Sequence, residues 1–319
     1  MGVNRSLQDR SDLLAEVAEM YYLRGMNQME IANQIGVDRS MISRMLSDAR
    51  KQNIVEIRIH RPLASHANLE SELLTKYALK RAYVLVDYSK NQQELLQRLG
   101  VAGALVLREY LSPGIVLGLS WGSAVSSVVE AMEVDETYHI RVVQLVGAMG
   151  AQNTVYDGPG LVQRLAQKLD CEGYFINAPF IVDKPEVAKA LLDNQNVRAA
   201  MTLAKKSDIA VLGIGSTNPE YSSFYQAGYV PIEVLNQLRD LGMVGDVCGL
   251  HFDIAGETPE LDFHTRIVTI GDEDLKSIPI RIGVAGGSGK VQAVLGALRA
   301  GYINVLVTDE NLAGELTCI

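Results

Sequence analysis

The sequence predicts two parts: a small N-terminal helix-turn-helix unit, winged-like in its last residues, and a larger α/β unit with a mainly parallel sheet. Three features predict this. The first sixty residues hold three short amphipathic segments with capping signals, the last two separated by a glycine. From Ala82 onward, short apolar runs alternate with amphipathic stretches, the pattern of buried strands covered by helices on both faces. Charge is also divided unequally: residues 1–62 carry nine Lys and Arg against eight Asp and Glu, or +1, while the remainder carries −10.

In the first part, Leu14, Val17, Ala18 and Tyr21 recur at helical spacing, with Ser11-Asp12 as the expected start and Gly25 as the close. Asn27 and Glu30 stand at capping-box spacing before the apolar Ile31, Ala32 and Ile35. Gly36 suits a left-handed residue that ends this helix. Asp38 is placed to cap a third helix with a buried stripe of Ile42, Met45 and Leu46. The outer face of that third helix then carries Arg39, Ser40, Met41, Ser43 and Arg44, mainly in its first turns, where a recognition helix meets base edges in the major groove. Arginine bonds two acceptors on guanine, and serine bonds base or phosphate. Gln28, opening the preceding helix, is placed to contact phosphate. Residues 39–61 hold a local charge of +4, which fits a polyanionic partner despite a net charge of −9. The alternation Ile54–Ile59 predicts a short wing strand, with Arg58 and Arg61 either touching backbone phosphate or serving as ordinary surface charge. These residues, 1–62, form the expected DNA-binding domain, with double-stranded operator DNA as its partner.

Residues 63–80 contain Leu69, Leu73 and Leu74 and few loop formers, so they read as a connecting helix. Packing against a partner subunit and capping the next domain are both open to it. Residues 81–319 form the effector and oligomerisation domain. Its expected strands are Tyr83–Val86, Ile115–Leu119, Val142–Val146, Ile209–Ile214, Ile280–Ala285 and Ile303–Val307. In such sheets ligands sit where strands end and loops lead into helices, and five loops qualify. Gly118–Ala124 runs from a strand into a helix, where backbone N–H groups and the Ser123 hydroxyl suit a phosphate. Gly283–Lys290 resembles an ATPase phosphate loop but departs from it. Its glycine offset is six where the motif has five, and Val291 stands where a magnesium-binding Ser or Thr belongs, leaving Lys290 as a cation at a strand end. Asp246, between glycines in 244–249, can accept hydrogen bonds from ligand hydroxyls. The remaining loops are Gly147–Gly150 and Gly213–Ser216, the latter lacking the third glycine of a dinucleotide fingerprint.

Composition excludes other classes. With 48% hydrophobic residues in 319, disorder and collagen-like repeats are out, and three scattered cysteines do not make a disulfide scaffold. The five histidines show no metal spacing. No cofactor, metal site or catalytic residue is expected. The charged first twenty residues and the lack of a long apolar run predict a cytoplasmic protein with no membrane partner.

The run Met26–Ile59, GLSWGSAV at 118–125, VLGIGS at 211–216, VGDVCG at 244–249, and GVAGGSGK with AGYINVLVTDE at 283–310 resemble the SorC family of bacterial transcriptional regulators, in family order and over nearly the whole chain. The resemblance implies an effector domain similar to the sugar-phosphate isomerase and glucosamine-phosphate deaminase fold, a phosphorylated sugar as effector, and a homo-oligomer, dimer or tetramer. It places the phosphate at Gly122, Ser123 and Ala124 with Lys290, and sugar hydroxyls at Asp246. Ser120, Gly147 and Gly286 complete the expected effector-binding set. Ala124 stands where the family often has Thr. Arg141 stands where the strand begins, with no equivalent of the lysine by which some members hold an effector covalently, so no Schiff base is expected. The implied function is control of a carbohydrate operon by a regulator that is not an enzyme. The alternative is a sugar-phosphate isomerase- or deaminase-like enzyme carrying a DNA-binding head, for which Asp246 is the candidate base.

Overall fold

The structure is a computed structural model that describes residues 2–55, 63–133, 139–150 and 156–319, with side chains from Arg10 onward. It divides into two compact units, residues 1–62 and 63–319.

The smaller unit holds α1 (Gly2–Tyr22), α2 (Gln28–Ile35) and α3 (Arg39–Lys51). The capping box at α2 is formed: Asn27 Oδ1 accepts from the N–H of Met29 and Glu30 (3.0 and 3.1 Å), and Glu30 Oε2 accepts from Asn27 N–H at 2.8 Å. Gly36 has φ 78° and donates to the Ala32 carbonyl, which frees the chain to turn. Leu14, Val17, Ala18, Met20, Ile31, Ala32, Ile42, Leu46 and Ala49 make the core. Three sequence expectations differ from this. Ser11 and Asp12 lie inside α1, which starts well before them. Met20 is buried in place of Tyr21, whose ring instead meets Tyr22 edge-on at the surface. Asp38 has the extended backbone of a cap, but its carboxylate makes no capping bond. The expected wing falls mostly outside the described residues, Arg58 and Arg61 included; Ile54 and Val55 pack on the core.

The larger unit begins with α4 (Ala67–Tyr77), β1 (Arg81–Leu85), α5 (Gln92–Arg108), β2 (Val116–Leu119), α6 (Ser123–Ala131), β3 (Arg141–Gln144), α7 (Gly158–Lys168) and β4 (Glu172–Tyr174). It continues with α8 (Pro185–Asp193), α9 (Gln195–Ala204), β5 (Ile209–Gly213), β6 (Gly215–Ser216), α10 (Ser223–Gln226), α11 (Ile232–Asp240), β7 (Met243–Val247) and β8 (Leu250–Asp253). α12 (Asp272–Ser277), β9 (Ile280–Val284), α13 (Val291–Arg299), β10 (Val305–Asp309) and α14 (Glu310–Cys318) complete it.

Seven strands form one sheet in the order β1-β10-β9-β5-β2-β3-β4, and every adjacent pair is parallel. Strands such as β2 are buried along their whole length because helices cover both faces. The six expected strands are all present in this sheet. The added β4 is a short outer strand whose Glu-Gly-Tyr sequence has no apolar run. After β2 the chain moves outward through β3 and β4, then returns to β5 on the other side of β2, which makes this pair a switch point. The carboxyl ends of β9, β5 and β2 therefore lie side by side, and their loops converge.

The other outer strand, β1, is flanked by the residues that precede α4. Val86 N–H donates to the Ala64 carbonyl at 2.9 Å, and His66 N–H donates to Val84 at 2.8 Å. α4 itself rests on this unit, with Leu73 buried in its core and Tyr77 Oη donating to Leu316 at 2.8 Å. Among the described residues, no helix is long and apolar enough to cross a membrane.

Candidate functional site

On the smaller unit, Arg39, Ser40, Met41, Ser43 and Arg44 are all exposed along the start of α3, while Ile42 between them is buried. Gln28 is half-buried at the first position of α2, next to the Asn27 cap that takes up the Met29 and Glu30 amides. One helix face thus offers two guanidiniums and two hydroxyls on a rigid three-helix support.

On the larger unit, the convergent loops form a small, partly open cavity lined by residues 120–124, 213–215, Ser223, Phe224, Asp246 and Lys290. Ser120 is buried just past β2, and its Oγ accepts from Gly213 N–H at 3.1 Å, stitching the β2 loop to the end of β5. Gly122 adopts φ 109°, a conformation other residues reach only with strain, and so turns the chain directly into α6. No side chain caps that helix, so the first amides of its nine residues point at the cavity with the positive end of the helix dipole.

Opposite stand one cation and one acid. Lys290 Nζ donates to the Ile214 carbonyl at 2.8 Å; burial lowers its pKa, and the nearby Asp246 charge opposes that. Asp246 is buried, and its Oδ2 accepts from Gly249 N–H at 3.1 Å. Burial pushes its carboxyl up to about 6, against the pull of the Gly249 N–H and the Lys290 charge. Gly215 pairs with Asp246 across β6 and β7, and a Cβ there would collide with the carboxylate, so only glycine lets this acid lie against the backbone. One wall is aromatic: Trp121 packs against Phe224 (4.8 Å between ring centres) and Tyr229 (5.8 Å).

The structure therefore gathers Ser120, Gly122, Ser123, Ala124, Asp246 and Lys290 around one space. Gly147 and Gly286 lie outside its lining. Gly147 sits where a Cβ would crowd the backbone of Ala178–Phe180, and its N–H donates to Val268 at 2.8 Å. Gly286 is buried beneath the loop against Leu99 and Asp309. Asp246 is also not on a loop. It belongs to β7, in a small antiparallel sheet of order β6-β7-β8 that the sequence reading did not foresee. Trp121, Ser223, Phe224 and the backbone at Ile214 were missed as lining; Trp121 and Ile214 sat inside loops already marked by their glycines. Among the described residues, no three His, Cys, Asp or Glu side chains are grouped to hold a metal ion.

The raised Asp246 carboxyl has a measurable consequence. A carboxyl whose folded value exceeds its unfolded value of about 3.9 favours the fold fully only below that value, and the contribution is lost as pH rises through about 6. Asp246→Asn removes this dependence. Between pH 4 and 7 the variant should gain about 2–3 kcal/mol relative to the parent in urea unfolding; curves that stay parallel across that range would refute the assignment.

Comparison with known proteins finds relatives over nearly the whole chain. The family described as "Putative sugar-binding domain" matches residues 61–317. The chain is 30% identical to the sorbitol operon regulator of Klebsiella pneumoniae, across 94% of this chain and 96% of that protein. It is 27% identical to the deoxyribonucleoside regulator of Bacillus subtilis, across 97% and 98%. The crystal structure of the full-length sorbitol operon regulator SorC from K. pneumoniae is similar with a TM-score of 0.73, over 97% of this chain and 99% of that one.

Proposed function

The chain belongs to the SorC family of sugar-binding transcriptional regulators, and on that premise we propose that it regulates a carbohydrate operon by binding operator DNA under the control of a phosphorylated sugar. The observation that carries this reading is the cavity. The open amides of α6 and the Lys290 ammonium form a positive pole for a phosphate, and Asp246 supplies an acceptor for sugar hydroxyls. The exposed basic start of α3 supplies the contact to DNA. The effector acts by favouring one of two DNA-binding states, which requires unequal affinity for them. Assembly into a dimer or tetramer would present several heads to one operator and raise affinity through linked sites. The protein acts in the cytoplasm, and it binds its ligand without turning it over.

The chain has a single tryptophan, Trp121, and it lines the cavity. Its emission should therefore change on titration with at least one phosphorylated monosaccharide and not with the same sugar lacking phosphate. The same phosphorylated sugar should shift the anisotropy of a labelled promoter fragment bound to the protein and should be recovered chemically unchanged. If a panel of phosphorylated sugars leaves both signals flat, the reading fails.

A further inference from the structure

The loop that delivers Lys290 to the cavity is held from outside the cavity by one acid. Asp309, at the end of β10, is fully buried. Its Oδ1 caps α14, accepting from the N–H of Asn311 (3.0 Å) and Leu312 (3.2 Å). Its Oδ2 faces the other way and accepts from Gly287 N–H at 2.6 Å. Gly287 has φ 87°, and its carbonyl in turn accepts from Lys290 N–H at 3.1 Å. The approach is close: a Cβ on Gly286 would stand 2.7 Å from the same Oδ2. A continuous series of bonds thus runs from Asp309 through Gly287 to the backbone of Lys290, whose ammonium ends on Ile214.

We infer that Asp309 is the positioning residue of the anion site: by holding Gly287 N–H it fixes the backbone from which Lys290 reaches the ligand, without touching the ligand itself. This rests on the reading of the cavity as an anion site. Asp309 also caps α14, so the purely structural role has to be separated from the positioning one. Asparagine does so. It retains an oxygen for the α14 cap, at which Asn ranks beside Asp, but it turns an NH2 toward Gly287 N–H, setting donor against donor.

The probe is inorganic phosphate, followed by Trp121 emission, with apo stability measured in parallel. Asp309→Asn should weaken phosphate binding about tenfold in the parent chain, the scale of one charge-assisted hydrogen bond lost behind the site. In a Lys290→Ala background it should change affinity less than about twofold, because residues that act through one another are not additive. Asp309→Ser, which also caps α14 but cannot reach Gly287, should repeat the pattern. Unchanged phosphate affinity in Asp309→Asn, or a tenfold loss that persists in Lys290→Ala, overturns the inference while leaving the anion site standing. A parent chain that shows no response to phosphate overturns the anion site and the inference together.

Discussion

Ser123→Asp should abolish binding of a phosphorylated ligand while leaving the protein folded. Position 123 is the first residue of α6, half-buried at the cavity wall beside the open amides of the helix start. A carboxylate there occupies the positive pole with a negative charge. Two unit charges about 4 Å apart in a partly buried site repel by roughly 4 kcal/mol, so affinity should fall by at least about 100-fold. The apo protein responds in the opposite direction. An acidic residue in the first turn complements the helix dipole, so the thermal midpoint should hold or rise, by an equivalent of about 0.3–1 kcal/mol. Trp121 emission and a thermal melt read both effects on one sample. Retention of phosphorylated-sugar affinity within about twofold of the parent would put the anion pole elsewhere.

The second large effect concerns the other unit. The double variant Arg39→Ala, Arg44→Ala should lose about 100-fold or more in affinity for operator DNA, since each base-reading arginine contributes about 1–3 kcal/mol. Both side chains are exposed and neither belongs to the core of Leu14, Ile31, Ile42 and Leu46, so the head should remain folded. The Trp121 response to ligand should be unchanged, because that residue lies in the separate unit 63–319. Anisotropy at several salt concentrations distinguishes the kinds of contact. An arginine that reads bases relaxes sequence preference when removed, whereas one that meets phosphate lowers the salt slope by about one. Parent-like affinity in the double variant would move the DNA-binding face off α3.

Much of this was readable from residue types because the determinants are local. The Asn27–Glu30 box needs only its own helix turn, and Gly36 is required by its own φ. Loop positions such as Gly122 and Lys290 follow from the rule that ligands gather at strand ends, which holds whatever the strand order. The small sheet was not readable in the same way. β6 is two residues long, and Met243–Val247 contains Gly and Asp, both poor strand formers; it is a strand because β8 and Gly215 pair with it. One local signal did exist. Cys248 and Gly249 both have positive φ (55° and 78°), the requirement of a two-residue hairpin turn, and a residue followed by Gly between Val247 and Leu250 is its mark. Phe224 gave no such signal, since it reaches the cavity only through tertiary packing on Trp121 and Phe180. Gly147 and Gly286 were misleading because glycine serves close backbone packing as readily as ligand approach, and only the neighbours at each position separate the two.

The residues before α4 have a consequence for solubility. A parallel sheet that ends in open air presents a row of unused amides and carbonyls, which any other extended chain can adopt as a template for aggregation. At β1 the Val86 N–H and the Val84 carbonyl pair with the backbone of Ala64 and His66, and Glu70 Oε1 accepts from the Val84 N–H, so the end of that row is taken up within the chain. The larger unit is therefore guarded against strand recruitment at the end of β1 by the segment through which the chain enters it. An excised effector unit should begin no later than Leu63, because trimming beyond it would uncover that end.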